Sequence, residues 1–117
     1  MLRLTSKKDY TRLRESTQKV VGKYFVVVYL VDVSNANHLV GMTVSKKVGN
    51  AVIRNKVKRR IRAFLREYDI ECRFGFMCNI IALPIVVGID WILFKKDLVQ
   101  CLDKMITKIE LQVKNEI

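Results

Sequence analysis

Residues 50–68, NAVIRNKVKRRIRAFLREY, constrain the fold more than any other stretch of the chain. At 100° per residue, Ile53, Val57, Ile61, Phe64, Leu65 and Tyr68 fall within about a third of the circumference, the width of a stripe that packs on a core. A helix is therefore predicted here, capped by Asn50 and ending before the polar DIECRFG. The opposite side carries Asn55, Arg59, Arg62 and Arg66 in a narrow row, roughly 16 Å long at 1.5 Å per residue. Lys58 flanks that row, and Lys56 and Arg60 lie on its other shoulder. One side of this helix needs an apolar partner, and the other is built for water or for an anion.

The rest of the chain supplies the partner. KYFVVVYLVDV is rich in β-branched and aromatic residues and reads as a strand buried on both faces, with Phe25, Val27 and Tyr29 on one side and Val26, Val28 and Leu30 on the other. The turn-forming SNAN follows, then HLVGMTVSKK, so an antiparallel hairpin is expected between these two runs. FMCNIIAL is a third strand. A short basic helix is predicted from Ser6 to about Thr17, with Tyr10 and Leu13 on one side. A last helix is predicted after Asp90, on which Phe94, Leu98, Cys101, Leu102, Met105 and Ile109 keep helical spacing. The order α, β, β, α, β, α implies a single α+β domain over residues 1–117, with helices layered on an antiparallel-rich sheet.

Charge narrows the function. Half of the 117 residues are apolar, which suits a folded core, yet the formal net charge is +11. Nine Lys and Arg lie between Lys46 and Arg66, and no Asp or Glu occurs between Asp32 and Glu67. Self-repulsion makes such a segment costly unless a polyanion neutralises it. Arginine forks suit phosphate oxygens, and Lys46 and Lys47 extend the patch before a helix N-terminus that itself favours anions. Nucleic acid is the expected partner, bound more weakly as salt rises.

Other chemistries find little support. His38 is the only histidine and lies in or beside a turn, with no acid near it in sequence to make it a general base. No HxxxH, GxSxG or glycine-rich phosphate loop occurs. Glu67, Asp69 and Glu71 read as a solvated helix end, and Cys72, Cys78 and Cys101 as unpaired thiols without zinc spacing. The greasiest run, NIIALPIVVGIDWILF, is interrupted by Pro84, Gly88 and Asp90, short of the roughly 20 apolar residues of a membrane span. A soluble cytoplasmic protein with no membrane partner and no small-molecule substrate is expected.

The stretch VSKKVGNAVIRNKVKRRIR resembles the signature SKK.GNAV.RNR.KR..R of the bacterial ribonuclease P protein family. Weaker similarity runs through SKKDYTRL, YFVVVYL and CNIIAL. The resemblance implies a two-layer α/β sandwich like the second domain of ribosomal protein S5, with a left-handed β-α-β crossover around the basic helix. It implies two partners, the catalytic RNA of ribonuclease P and precursor tRNA, whose 5′ leader is removed by phosphodiester hydrolysis with Mg²⁺ held mainly by the RNA. The protein is then an accessory subunit of an endoribonuclease and carries no catalytic residue of its own.

Residue by residue, Lys46 and Lys47 match the SKK lysines, and Arg54, Asn55, Lys58, Arg59 and Arg62 match motif positions that face the catalytic RNA. Lys56 stands where the family has arginine, which keeps the charge and loses the fork. Arg60 and Arg66 complete the basic surface. Tyr10 and Phe25 fall at positions of a cleft for the single-stranded leader, where an aromatic face can stack on any base; from the residues alone, core packing suits both equally. Arg14, Val28 and Leu83 depart from the aromatic, tyrosine and basic residues common at their positions. The alternative function is a ribosomal or ribosome-assembly protein that uses the same helix on ribosomal RNA.

Overall fold

In the computed structural model, which describes residues 1–116, the chain runs β1 (Leu2–Arg3), α1 (Lys7–Arg14), β2 (Lys19–Val21), β3 (Phe25–Asp32), β4 (His38–Thr43), α2 (Ala51–Glu67), β5 (Gly75–Ala82), a 3-10 turn (Pro84–Val86) and α3 (Trp91–Glu116). The five strands form one sheet in the order β1-β4-β5-β3-β2. The mixed α+β architecture matches the expectation. Two short strands, β1 and β2, were not anticipated: each is too brief to show a period, and each adds to an edge that a longer strand provides.

The expected hairpin between β3 and β4 is not formed. β5 lies between them, antiparallel to β3 from Phe25↔Ala82 to Asp32↔Gly75 and parallel to β4 from His38↔Phe76 to Thr43↔Ile81. The reason is burial: nearly every residue of β5 is buried, so this strand gains most from the centre of the sheet. The turn after β3 must then reach across the start of β5. It does so where Gly75 leaves room, since a Cβ there would collide with the Asn35 carbonyl, and the Phe76 N–H donates to Asn37 O at 3.1 Å. α2 becomes the crossover between two parallel neighbours, β4 and β5.

Alternation along the strands divides the molecule. Phe25, Val27 and Tyr29 of β3, with Phe76, Cys78 and Ile80 of β5, face α2 and α3 and join Val57, Ile61, Phe64, Leu98 and Met105 in the main core. Leu4, Leu13 and Met77 form a small second cluster where α1 covers part of the other face.

Local chemistry sets the helix ends. Asn50 Oδ1 accepts the Ile53 N–H at 3.0 Å and Asp90 Oδ1 accepts that of Leu93 at 2.8 Å, as N-caps do. α1, capped by Ser6, stops at Arg14 instead of near Thr17. Ser16 Oγ donates to Tyr29 O at 2.8 Å and the Tyr29 N–H donates to Gln18 O at 3.1 Å, so the chain is drawn into the sheet edge before another turn can form. Inside α3, Asp97 is buried and accepts the backbone N–H groups of Lys23, Tyr24 and Phe25 at 3.0, 2.9 and 3.1 Å. This carboxylate satisfies the turn between β2 and β3 that no ladder reaches.

Candidate nucleic-acid interface

The anchored side of α2 is the one that its period indicates. Val57, Ile61 and Phe64 are buried, and Ile53, Leu65 and Tyr68 are half-buried against the same core. Asn55, Lys56, Arg59, Arg62 and Arg66 are exposed, as are Lys46 and Lys47 in the loop before the helix. Among the described residues the one ion pair joins Arg12 to Asp9 at 3.8 Å, so none of their carboxylates neutralises the α2 row. A rigid helix thus holds cations at fixed spacing in front of solvent, an arrangement suited to phosphates of a structured strand.

Three predicted members are less free. Arg60 is half-buried: its Nη1–H donates to Ile89 O at 3.2 Å and its guanidinium lies 6.0 Å from the centroid of Phe94, so part of its bonding serves the junction of α2 and α3. Lys58 is half-buried. Arg54 is also half-buried, with an Nε–H that finds no acceptor among the described residues.

Phe25 requires a correction. Its exposure is 0%, and its ring meets Phe94 edge-on with centroids 5.0 Å apart and planes at 81°. Phe25 belongs to the α3 face of β3, and the neighbouring positions Val26 and Val28 point the other way. Tyr10, by contrast, is half-buried and lines a cleft of about 180 Å³ between α1 and the sheet, together with Arg14, Val28, Thr43, Asn79 and Ile81. Arg14 and Val28, two of the positions where the sequence departs from the pattern of the family it resembles, therefore sit in the cleft itself. Tyr10 also borders a second groove, of about 240 Å³, that includes Gly41 and, from α2, Lys58 and Arg62.

Thr43 and Asn79 were missed by sequence reasoning. Asn79 is 9% exposed and donates through Nδ2 to Thr43 Oγ1 at 2.9 Å. A signal was present, since Asn79 is the one hydrogen-bonding side chain in GFMCNIIA. Among the described residues no three His, Cys, Asp or Glu side chains gather as a metal site. The three cysteines are free, and among the described residues no helix is long and apolar enough to cross a membrane.

A family model described as Ribonuclease P matches residues 1–106. The chain belongs to that family. A ribonuclease P protein component from a Thermoanaerobacter species is 35% identical over 101 residues, covering 86% of this chain and 84% of the relative. That of Streptococcus gordonii is 44% identical over 69 residues, covering 59% of this chain and 57% of the relative. The match to the Syntrophomonas wolfei component likewise spans 56% of that protein. The structure of the Staphylococcus aureus RNase P protein superposes with a TM-score of 0.77 at 26% identity, covering 88% of this chain and 94% of that one. The Thermotoga maritima RNase P protein shares the fold, with a TM-score of 0.76 at 23% identity over 89% and 97% of the two chains.

Proposed function

We propose that this chain is the protein subunit of a ribonuclease P ribonucleoprotein, which removes the 5′ leader of precursor tRNA. The observation that carries this reading is the outward row of α2, exposed and free of carboxylate partners among the described residues, in a member of the ribonuclease P protein family. Arg59, Arg62, Arg66 and Asn55, with Lys46, Lys47 and the flanking Arg54, Lys56 and Lys58, bind the catalytic RNA along its phosphates and release condensed counterions. The cleft beside Tyr10 takes the single-stranded leader, and the groove past Arg62 lets one substrate touch both surfaces.

The protein's part in the reaction is electrostatic and positional. Its cations offset the repulsion between two RNA chains, and its cleft fixes the leader relative to the scissile bond. Mg²⁺, held by the RNA, supplies the hydrolytic chemistry when bound. Attraction between the two RNAs then needs less Mg²⁺ when the protein is present.

The test is reconstitution. Mixed with a bacterial ribonuclease P RNA and precursor tRNA at low Mg²⁺, the chain is expected to raise cleavage at the mature 5′ end. No stimulation, under conditions where the S. aureus protein stimulates, defeats the proposal.

A further inference from the structure

Trp91 is the one tryptophan of the chain, and it opens α3 beside the basic helix. Its half-buried ring packs on the buried Phe94, with centroids 5.3 Å apart and planes at 33°. The indole also borders an open groove of about 520 Å³, whose other wall is a single stripe of α2 made by Lys56, Arg59, Arg60, Ala63 and Arg66. That volume lies in the range of roughly 300–1,000 Å³ that takes a small-molecule-sized group. No carboxylate lines the groove, and among the described residues none of its four cations is in an ion pair.

Phosphates account for the cations and leave the indole without a purpose. A row of arginines that follows a backbone needs no aromatic neighbour, and a half-exposed indole among charges keeps apolar surface in water. Ala63 preserves the space, because it adds only a methyl to a stripe otherwise made of long side chains. Arg60 is held to the wall by its bond to Ile89 O at 3.2 Å, whereas Arg59 and Arg66 are exposed. Lys95 Nζ stands 5.3 Å from the indole centroid, so the ring already attracts a cation of its own helix. A flat π surface rimmed by phosphate-binding side chains fits a nucleotide, with the base on the indole and the flanking phosphates on the arginines. Only a base outside a double helix offers a free face, since stacked neighbours cover the faces of paired bases.

We infer that the groove between α2 and the start of α3 binds one unpaired nucleotide of the catalytic RNA: a looped or bulged base stacks on Trp91, and Arg59 and Arg66 hold the phosphates beside it. This rests on the proposal that α2 binds that RNA, and it carries the interface onto a second helix. Stacking is indifferent to which base is presented, so the groove selects an extruded nucleotide and not a sequence.

The full chain is titrated with a bacterial ribonuclease P RNA alone, so that no leader is present. Because Trp91 is the only tryptophan, its fluorescence reports this groove directly, and binding is expected to quench it. Trp91→Leu keeps an apolar side chain against Phe94 and gives up the flat face. It is expected to bind the RNA about fivefold or more weakly, the scale of one base stack lost. Its slope of log affinity against log salt should stay native, because no cation has been removed. Ala63→Leu fills the groove from the α2 side with a good helix former. It is expected to weaken binding in the same way, again with a native salt slope, and it decides the matter if Trp91→Leu does not fold. An unquenched indole in the bound complex, or native affinity in whichever variant decides, overturns the inference. A native chain that does not bind the RNA at all defeats the underlying reading as well; salt-dependent binding without quenching defeats this inference alone.

Discussion

Tyr10 lies so close over the bare backbone of Gly41 that a Cβ at residue 41 would fall 2.5 Å from its hydroxyl oxygen and 2.9 Å from Leu4 Cδ2. The glycine is what lets α1 sit down on β4. Gly41→Ala is expected to lift Tyr10 and Leu4 together, at a cost of about 1–3 kcal/mol for an overpacked contact. Urea unfolding measures that loss. Binding of precursor tRNA should fall more than binding of the catalytic RNA, because the cleft is distorted and α2 is not.

Tyr10→Ala separates the two RNA surfaces without adding bulk. Affinity for precursor tRNA is expected to drop toward that for mature tRNA, by about five- to tenfold or more if one base stacks on the ring. Affinity for the catalytic RNA should hold. Tyr10→Phe keeps the ring and gives up only the bond to Leu4 O, so it should behave nearly as the native protein does. An unchanged precursor preference in Tyr10→Ala removes the residue from the leader site.

Arg59 tests the other surface. It is exposed on the helix side opposite the core and has no acidic partner among the described residues. Arg59→Ala is expected to weaken catalytic-RNA binding for every leader sequence alike. It should also lower the slope of log affinity against log salt by about one. Filter binding across a salt series checks both effects, and a loss confined to particular leaders contradicts the assignment.

How much of this was legible in advance depended on whether the information was local. The α2 stripe was, because its period is fixed by helix geometry and its burial follows residue by residue. Strand neighbours were not: β3 and β4 are adjacent in sequence and apart in space, and their separation depends on a third strand that arrives after α2. The same gap hid the cleft. Tyr10, Thr43 and Asn79 sit on three elements whose meeting is a property of sheet order, and Phe25, placed in the cleft by the family resemblance, lies on the other face of β3, because strand alternation gives two faces without saying which one a helix covers. Legibility failed at pairing, where contacts between distant segments decide.

Asp97 makes a prediction about stability alone. One buried carboxylate holds three N–H groups of the turn Lys23–Phe25, and a Cβ at Gly22 would stand 2.8 Å from its Oδ2. Asp97→Ala strands those donors inside the protein and is expected to cost about 3 kcal/mol or more, at roughly 1–3 kcal/mol for each buried donor left unsatisfied. The transition in urea should move to lower concentration. Any precursor tRNA bound by the surviving folded fraction should keep native affinity, since the turn lies on the α3 side of the sheet.

Cys78 gives the expected response to alkali. Burial on the central strand pushes its thiol up to about 12 from an ordinary value of 9.0, because the thiolate has no water or cation to stabilise it there. The unfolded chain therefore loses its proton first. From about pH 9 to about pH 12 the folded state binds more protons than the unfolded state, so stability should fall as pH rises through that window, and the contribution is fully present below it. Cys78→Val removes this titration, and its stability should decline less steeply than that of the native protein over the same pH range. Thiol labelling at neutral pH provides the independent check: half-buried Cys72 should react first, and Cys78 should react only as the protein unfolds.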